Sequence, residues 1–301
     1  MAAAADSELI SRLSRAEAAA ESLRARVLAL EQRGASVHLS WASLVEQLSD
    51  GACTPGTPGD GSGPEKVRSA CSRGLFDQYL LFHVPEELGY YSQELLWRAK
   101  YLKTPVEALC KTLLFRNTKC TRDDCSDWRN SRLYAVVTPY SRKVDAELLK
   151  RAVVSLWPLG SDGADDGGDE SLEDRGERPG RGRYNFQLLD SCESPTSTGF
   201  PFNGVAPIGL AMSEIPLLVD ASVAALTTGY FWAGGGNPHV KLLLPTAALC
   251  VPGVCVTADQ HSREVVASLR ATSCYNKAAI AEATTKGDRP RVIVADFTVA
   301  R

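Results

Sequence analysis

The sequence has no long hydrophobic run and none of the short motifs that mark common nucleotide or hydrolase sites. No apolar stretch approaches the ~20 residues that a membrane-spanning helix needs, so no membrane partner is expected. It also contains no G-x-G-x-x-G, Walker loop, G-x-S-x-G elbow or H-E-x-x-H sequence. These absences argue against dinucleotide enzymes, P-loop ATPases, elbow-type serine hydrolases and zincins. We therefore expect no bound cofactor.

A large excess of charge of either sign is missing as well. The net charge of −3 argues against a protein that coats nucleic acid, although a local basic surface for RNA stays compatible with it. The first residues include Asp6 and Glu8 and lack the apolar core of a secretory leader. Nine cysteines, an odd number, fit a reducing compartment better than a disulfide framework. A cytoplasmic protein is expected.

Metal ligands at suitable spacing are scarce. Cys120 and Cys125 have a C-x4-C spacing that offers two ligands, and Cys250 and Cys255 repeat the same gap around a Pro-Gly turn. A structural zinc ion needs four ligands, and no second pair stands at a fitting spacing. Among four histidines, no Cys/His pairing points to a nucleophilic cysteine. Neither a metal site nor a thiol nucleophile is expected.

Residues 6–33 carry a pattern typical of a helix with a heptad seam. Apolar residues recur there at spacings of four and three, namely Leu9, Leu13, Ala16, Ala20, Leu23, Val27 and Leu30. This favours a short coiled coil that joins two copies in a homodimer or docks on a partner. The alternative is an amphipathic helix folded onto its own domain. Residues 37–48 form a second helical candidate, before a linker rich in Gly, Pro, Ser and Thr.

These features divide the chain into an N-terminal helical arm (1–49), a flexible linker (50–64) and a main domain (65–301). Within the main domain, helices are predicted over residues 85–103, 106–110, 145–154, 247–251, 262–269 and 278–282. Strands are predicted over residues 111–116, 132–138, 186–189, 216–219, 240–244 and 292–294. An acidic, Gly-rich loop spans residues 160–183. Because strands and helices interleave without a strict βαβ period, we predict a mixed α/β fold.

Three features of the main domain are candidates for chemistry. Lys111 is flanked by apolar residues, so its ammonium group either faces a cleft or reaches water past an apolar surface. Gly204, Pro207 and Gly209 punctuate a loop ahead of an apolar strand, which is either a ligand scaffold or a plain connection. His239 closes the segment AGGGNPH and either donates to a substrate hydroxyl or carbonyl or faces water in a turn.

Three ordered patches together resemble the YbaK/prolyl-tRNA synthetase-associated domain family. They are AKYLKTPVEALCKTLLFR (99–116), RLYAVVTPYSRKVDAELLKRAV (132–153), and STGFPFNGVAPIGL followed by IPLLVD and GYFWAGGGNPHVKLLL. The resemblance covers roughly residues 85–250. It implies an α+β fold with a mixed, barrel-like sheet surrounded by helices. It also implies a stand-alone aminoacyl-tRNA deacylase, which removes a small amino acid such as Ala, Cys, Ser or Thr from mischarged tRNA, with an aminoacyl-tRNA synthetase as a further candidate partner.

The resemblance also implies roles for particular residues. Lys111 matches the family's functional lysine, which would anchor the tRNA end. The loop whose backbone amides would surround the aminoacyl carbonyl corresponds to Gly204, Val205, Ala206 and Pro207. Substrate contacts would come from Asn203, Ile208, Gly209, Gly235, Gly236 and His239. The family lacks a catalytic triad, so a water molecule or the substrate's own ribose hydroxyl or side chain would attack.

The chain departs from the family pattern at two positions. Asn203 stands where the family usually has the first glycine of G-x-x-x-P, although asparagine tolerates a left-handed conformation better than most residues. The H-P-x-x-N pattern of the alanine-specific branch is missing around His239. Two alternatives therefore stay open: a non-catalytic tRNA- or synthetase-binding subunit of a multi-synthetase assembly, and a hydrolase of small aminoacyl esters.

Overall fold

A computed structural model describes residues 41–48, 61–73, 78–157, 181–191, 193–249, 255–272 and 292–300. The predicted coiled coil of residues 6–33, the helix of residues 278–282 and most of the acidic loop lie outside these ranges. Contacts divide the chain into Met1–Ser40 and Trp41–Arg301, and all described residues belong to the second unit. No helix in the described ranges is long and apolar enough to cross a membrane.

Three sheets are formed by the described strands. The strands are β1 (Leu80–His83), β2 (Cys110–Asn117), β3 (Leu133–Pro139), β4 (Arg142–Val144), β5 (Phe186–Leu188), β6 (Leu217–Asp220), β7 (Tyr230–Gly234), β8 (Val240–Pro245), β9 (Cys255–Thr257), β10 (Val292–Ala295) and β11 (Thr298–Ala300). A six-stranded sheet has the order β5-β2-β3-β6-β10-β9, a three-stranded sheet has the order β1-β8-β7, and β11 pairs with β4.

The six-stranded sheet is mixed, as predicted, since β3, β6, β10 and β9 run parallel while β2 and β5 pair in antiparallel fashion. The prediction of a barrel-like sheet was wrong. Among the described strands, β5 and β9 are open edges and do not pair with each other. The predicted strands are confirmed to within one residue at each end. The sequence signal is strong in β3, because this strand is buried along its whole length, as expected of a strand covered on both faces.

Seven α-helices are present in the described ranges: α1 (Trp41–Leu48), α2 (Gly63–Arg73), α3 (Leu95–Tyr101), α4 (Ala146–Val154), α5 (Ser194–Thr198), α6 (Ala221–Ala224) and α7 (Gln260–Thr272). Helix α4 matches its prediction, and the Asp145 side chain caps it by accepting from the N–H groups of Glu147 and Leu148. Helix α2 begins at Gly63, within the segment predicted as linker.

The long helix predicted over residues 85–103 was wrong in its first half. Two 3-10 turns, Glu86–Leu88 and Tyr90–Ser92, precede the short helix α3. Gly89 has a left-handed conformation (φ 53°) and Gln93 is extended, so the backbone turns twice before α3 begins. The helices predicted over residues 106–110 and 247–251 are likewise 3-10 turns, at Val106–Ala108 and Thr246–Leu249.

The six-stranded sheet separates two hydrophobic cores. One face packs against the three-stranded sheet and α2, and this core includes Leu114, Val137, Val219 and Val294 from the six-stranded sheet and Leu242 from β8. The other face is covered by α4, and this core includes Tyr134, Val136, Leu218 and Ile293 from the sheet and Leu149 from α4. Alternate residues of one strand therefore enter opposite cores. Strand β10 supplies residues to both, so residues 292–295 are an integral part of the domain.

Candidate active site

Lys111 lies at the edge of the sheet where the parallel strands end. It is paired with Thr138 near the carboxyl end of β3, because β2 runs antiparallel to that strand. Its side chain is half-buried, and its Nζ lies 5.6 Å from the ring centre of Tyr140, which directly follows β3. In open sheets with parallel strands, ligands bind outside the carboxyl ends. The predicted anchor residue thus stands at a position suited to ligand binding.

Beside Lys111 lie three tyrosines, Tyr90, Tyr91 and Tyr140, which we call the tyrosine cluster. The Arg98 guanidinium lies 5.5, 5.7 and 5.6 Å from the centres of their rings. Arg98 also donates to the carbonyl of Gln93 at 2.9 Å and to that of Tyr91 at 3.1 Å. Helix α3 therefore holds the turn that carries two of the tyrosines.

Lys241 is a functional candidate that the sequence interpretation missed. It lies in the middle strand of the three-stranded sheet and is only 4% exposed. Its Nζ donates to the Tyr91 hydroxyl at 2.7 Å and to the Pro238 carbonyl at 2.8 Å. The rings of Tyr90 and Tyr91 have their centres 4.5 and 4.1 Å from this nitrogen. A lysine inside the apolar run VKLLL is the same signal that singled out Lys111, and it would have identified this residue.

The charges and burial of this region shift several pKa values. Burial, and then the positive charge of Arg98, lower the pKa of Lys241 to about 7. Burial raises the pKa of Tyr90, Tyr91 and Tyr140 above its ordinary value. The tyrosine hydroxyls consequently stay neutral near pH 7, whereas the Lys241 amine is close to the midpoint of its titration.

The loop of residues 203–209, here the Gly/Pro loop, begins at the tyrosine cluster. The Tyr91 hydroxyl donates to the carbonyl of Asn203, and Asn203 has the left-handed conformation (φ 62°) that asparagine tolerates. The Gly204 N–H already donates to the Pro201 carbonyl at 2.9 Å. Pro207 has no N–H to donate.

Several amides of the Gly/Pro loop are open. Four backbone N–H groups form no hydrogen bond to any described residue, namely those of Val205, Ala206, Ile208 and Gly209. Backbone N–H groups rarely stay unpaired when they are shielded from water, so open ones in a partly buried loop are available to a ligand oxygen. The loop can therefore offer donors to a carbonyl or an oxyanion.

A glycine turn, residues 234–237, supports this loop from behind. The Gly236 N–H donates to the Gly204 carbonyl at 2.8 Å, and the Gly235 N–H donates to the Val240 carbonyl at 3.0 Å. A Cβ at Gly204 would lie 2.9 Å from the Cα of Asn237, and one at Gly234 would lie 2.3 Å from the Val205 carbonyl oxygen. Backbone thus packs on backbone here, and the N–H groups of Gly235 and Gly236 are engaged within the protein.

The contacts recorded for His239 are made by its backbone, and those of Cys120 and Cys125 serve the fold. The backbone of His239 bonds to Val84 at 2.7 Å and to the Asn237 side chain at 2.8 Å. Cys120 donates to the Asn130 carbonyl, and Cys125 is buried in the core. No group of three or more metal-binding side chains occurs within the described ranges. The substrate contact predicted for His239 stays a prediction.

Hydrogen bonds and ring contacts connect Lys111 and Asn203, two of the predicted site residues, through the tyrosine cluster. The Lys111 Nζ lies 5.6 Å from the ring centre of Tyr140, the Arg98 guanidinium lies near the rings of both Tyr140 and Tyr91, and the Tyr91 hydroxyl donates to the Asn203 carbonyl. Lys241 joins these contacts through Tyr91. Three basic side chains and a set of open amides therefore lie around the tyrosine cluster, an arrangement that suits an anionic substrate with a reactive carbonyl.

A separate cleft of about 500 Å³ lies between α6 and α7. It is lined by exposed polar residues such as Thr227, His261 and Glu264, and no predicted site residue borders it. The chemistry is therefore assigned to the tyrosine cluster and the Gly/Pro loop, where buried charge and open amides occur together.

No family model and no curated protein matches the chain. Among solved structures, a candidate trans-editing enzyme for prolyl tRNA synthetase is 14% identical, with a TM-score of 0.45 over 79% of this chain and 98% of that chain. A hypothetical protein is 19% identical, with a TM-score of 0.41 over 78% of this chain and 100% of the other. A scaffold from epitope grafting is 15% identical, with a TM-score of 0.44. Likenesses this distant establish no family, so function is argued from the site.

Proposed function

We propose that the protein is a trans-acting aminoacyl-tRNA deacylase. It hydrolyses the ester between a small amino acid, such as Ala, Cys, Ser or Thr, and the terminal adenosine of a mischarged tRNA. The observation that supports this most is the set of open amides in the Gly/Pro loop, which begins at the same tyrosine cluster that Lys111 contacts. Donors for an oxyanion and a cation for the tRNA end are then adjacent.

The reaction needs no nucleophile from the protein. A water molecule, positioned by the ribose hydroxyl, attacks the ester carbonyl, or the substrate's own side chain attacks it first and water then opens the cyclic product. In either case negative charge develops on the carbonyl oxygen. The N–H groups of Val205, Ala206, Ile208 and Gly209 are the available donors for that oxygen. The bond from the carbonyl carbon to the ribose oxygen breaks, and the ribose oxygen takes up the proton that the attacking group loses. The rate comes from positioning and from amide donors.

Lys111 is assigned to the tRNA end. Its ammonium group attracts the phosphate backbone and places the ester at the Gly/Pro loop. Val205, Ala206 and Ile208 shape the floor of the site from the core side, and Asn203 starts the loop in the required left-handed conformation. Residues 6–33, which lie outside the described ranges, are proposed to pair with a second copy or to dock on a synthetase.

The first experiment is deacylation of tRNAs mischarged with Ala, Cys, Ser and Thr by the full-length protein, beside Lys111→Ala. Turnover of one ester is expected, and Lys111→Ala should lower it by about 100-fold or more while the melting temperature stays the same. The matched control is Lys143→Ala, which removes an exposed lysine from β4 and should retain the wild-type rate.

Full activity in Lys111→Ala would remove that residue from the mechanism. Absence of turnover on every tRNA would overturn the deacylase assignment. If uncharged and charged tRNA then bound equally well, the non-catalytic tRNA- or synthetase-binding subunit would take its place. If small aminoacyl esters were hydrolysed but tRNA was not bound, the assignment would change to a hydrolase of small aminoacyl esters.

A further inference from the structure

We propose that Arg98 and Lys241 form a phosphate-binding subsite, which takes the phosphodiester on the 5′ side of the terminal adenosine. This inference rests on the proposed function, because it names the part of the tRNA that lies next to the ester. It adds a second cationic contact to the one assigned to Lys111. The two side chains reach the tyrosine cluster from different elements, α3 and β8.

The charge balance around Lys241 is the first argument. Burying a charge is costly unless it is paired, yet neither Arg98 nor Lys241 forms an ion pair with any described carboxylate. The faces of the tyrosine rings and several carbonyl oxygens compensate these two charges only in part. An anion between them would complete the compensation.

Unused donors are the second argument. The Lys241 ammonium has three N–H donors, and two of them donate to the Tyr91 hydroxyl and the Pro238 carbonyl. Arg98 has five donors, of which those on Nε and Nη2 reach the carbonyls of Gln93 and Tyr91. The remaining donors have no acceptor among the described residues. A phosphate group has enough oxygens to accept from both side chains.

Access and distance to the ester fit this assignment. Arg98, Tyr91 and Tyr140 are half-buried, so the subsite has a side open to solvent although Lys241 itself is covered. Lys241 is one hydrogen bond from Tyr91, and Tyr91 is one hydrogen bond from the first residue of the Gly/Pro loop. The first negative group met along the substrate from an ester held at that loop is the 5′ phosphate of the same nucleoside.

Phosphate binding at this subsite should be coupled to proton uptake. The pKa of Lys241 is about 7 in the free protein, and a neighbouring phosphate would raise it. The groups that face Lys241 are Tyr90 and Tyr91 from the 3-10 turn, Tyr140 after β3 and Arg98 from α3, with Lys111 beyond Tyr140. The three tyrosines have raised pKa values and stay neutral, so Lys241 is the group that gains the proton.

The test uses a CCA trinucleotide and the same trinucleotide with an uncharged methylphosphonate at its last linkage, titrated calorimetrically into the full chain. We expect the methylphosphonate to bind wild-type protein about tenfold more weakly or worse. Lys241→Met keeps Arg98, so it should reduce this discrimination severalfold without abolishing it. The matched control is Lys100→Met, which removes an exposed lysine of α3 and should keep the wild-type discrimination.

A second readout is the number of protons taken up. Titration of the unmodified trinucleotide in two buffers of different ionisation enthalpy should give uptake of about half a proton at pH 7, rising toward one at pH 8. Lys241→Met should show no such uptake. A merely structural role of Lys241 would change affinity for both probes alike and would leave no proton signal.

Equal binding of the two probes to wild-type protein overturns the subsite, whether or not any variant folds. So does discrimination that is as large in Lys241→Met as in the wild type. Inorganic phosphate that binds as tightly as the trinucleotide would show a site for free phosphate and overturn the nucleotide assignment. Deacylation without discrimination refutes the subsite alone, whereas discrimination without deacylation refutes the proposed function and leaves the subsite standing.

Discussion

Strands β2 and β8 each carry one lysine inside an apolar run, and the two lysines have different surroundings. Lys111 on β2 is half-buried at the end of the six-stranded sheet where the parallel strands terminate, beside a single tyrosine ring. Lys241 on β8 is 4% exposed, in the middle of the three-stranded sheet and beneath two tyrosine rings. The flanking residues are alike, so the difference comes from segments distant in the sequence. Lys241 and Tyr91, for example, are 150 positions apart.

The comparison shows that the two lysines are suited to different tasks. A half-buried lysine keeps contact with water and can capture a charged ligand from solution. A buried lysine with a pKa of about 7 responds to any change of charge next to it. The predictions that follow perturb the β8 side, where the surroundings of the lysine depend most on tertiary contacts.

The largest effect is expected from Gly236→Ala, which should disturb the turn that leads into β8. Gly236 has φ 90°, and an added Cβ would lie 2.3 Å from the carbonyl carbon of Gly63. We expect a loss of more than ~3 kcal/mol in the free energy of unfolding. Gly229→Ala is the matched control, because Gly229 has φ 71° but an added Cβ there meets nothing within 4 Å. It should cost about 1 kcal/mol. Equal losses in denaturant titrations would contradict the predicted clash.

The pH dependence of stability should distinguish Lys241 from an exposed lysine. Its pKa is lowered from 10.5 to about 7 on folding, so between those values the unfolded chain binds more protons and stability rises with pH. From pH 7 to pH 9 the free energy of unfolding of wild-type protein should rise by roughly 2 kcal/mol relative to Lys241→Met.

Chemical denaturation of wild type and variant at several pH values measures this difference. Lys143→Met serves as the control for the loss of one exposed positive charge and should follow the wild type. Parallel curves for wild type and Lys241→Met would show that the buried amine does not titrate in this range.

Tyr91→Phe should uncouple Lys241 from the Gly/Pro loop. The substitution removes the hydroxyl that accepts from Lys241 and donates to the Asn203 carbonyl. We expect a loss of about 1–2 kcal/mol in the free energy of unfolding and a slower deacylation, because the loop amides lose their support. Tyr90→Phe is the matched control, since the Tyr90 hydroxyl bonds to no described residue. If both variants behaved alike, the hydrogen bond to the loop would have no special role.

The smallest effect is expected from Asn203→Gly. Asn203 contributes its carbonyl to Tyr91 and adopts φ 62°, and glycine can do both. Stability should change by less than about 0.5 kcal/mol, and deacylation should stay within about twofold. Asn203→Val, which resists a positive φ, should cost more than the glycine variant. A large activity loss in Asn203→Gly would show that the asparagine side chain itself contacts the substrate.

Local signals account for what the sequence predicted correctly. The strands follow from runs of β-branched and aliphatic residues, and α4 follows from its Asp145 cap. Each of these depends on neighbours in the chain, which a sequence displays directly.

Tertiary contacts account for what was missed. Helical spacing in residues 85–103 was overridden by Gly89 and by Arg98, which bonds to the carbonyls of an irregular turn. Lys241 is a candidate site residue because it donates to Tyr91 and because Arg98 helps to lower its pKa, and both residues are distant from it in the sequence. The open edges of the six-stranded sheet depend on strand pairing, which spacing along the chain does not encode. The roles of the predicted site residues stay predictions until the variants are measured.

The position of β10 has a consequence for how this protein reaches its native state. Strand β10 begins at Val292, yet it lies between β6 and β9 in the interior of the six-stranded sheet. The ribosome must therefore release nearly 300 residues before β10 can join the sheet, and until then β6 has an unpaired apolar edge. Folding should follow synthesis of the whole domain, with chaperones protecting that edge in the meantime.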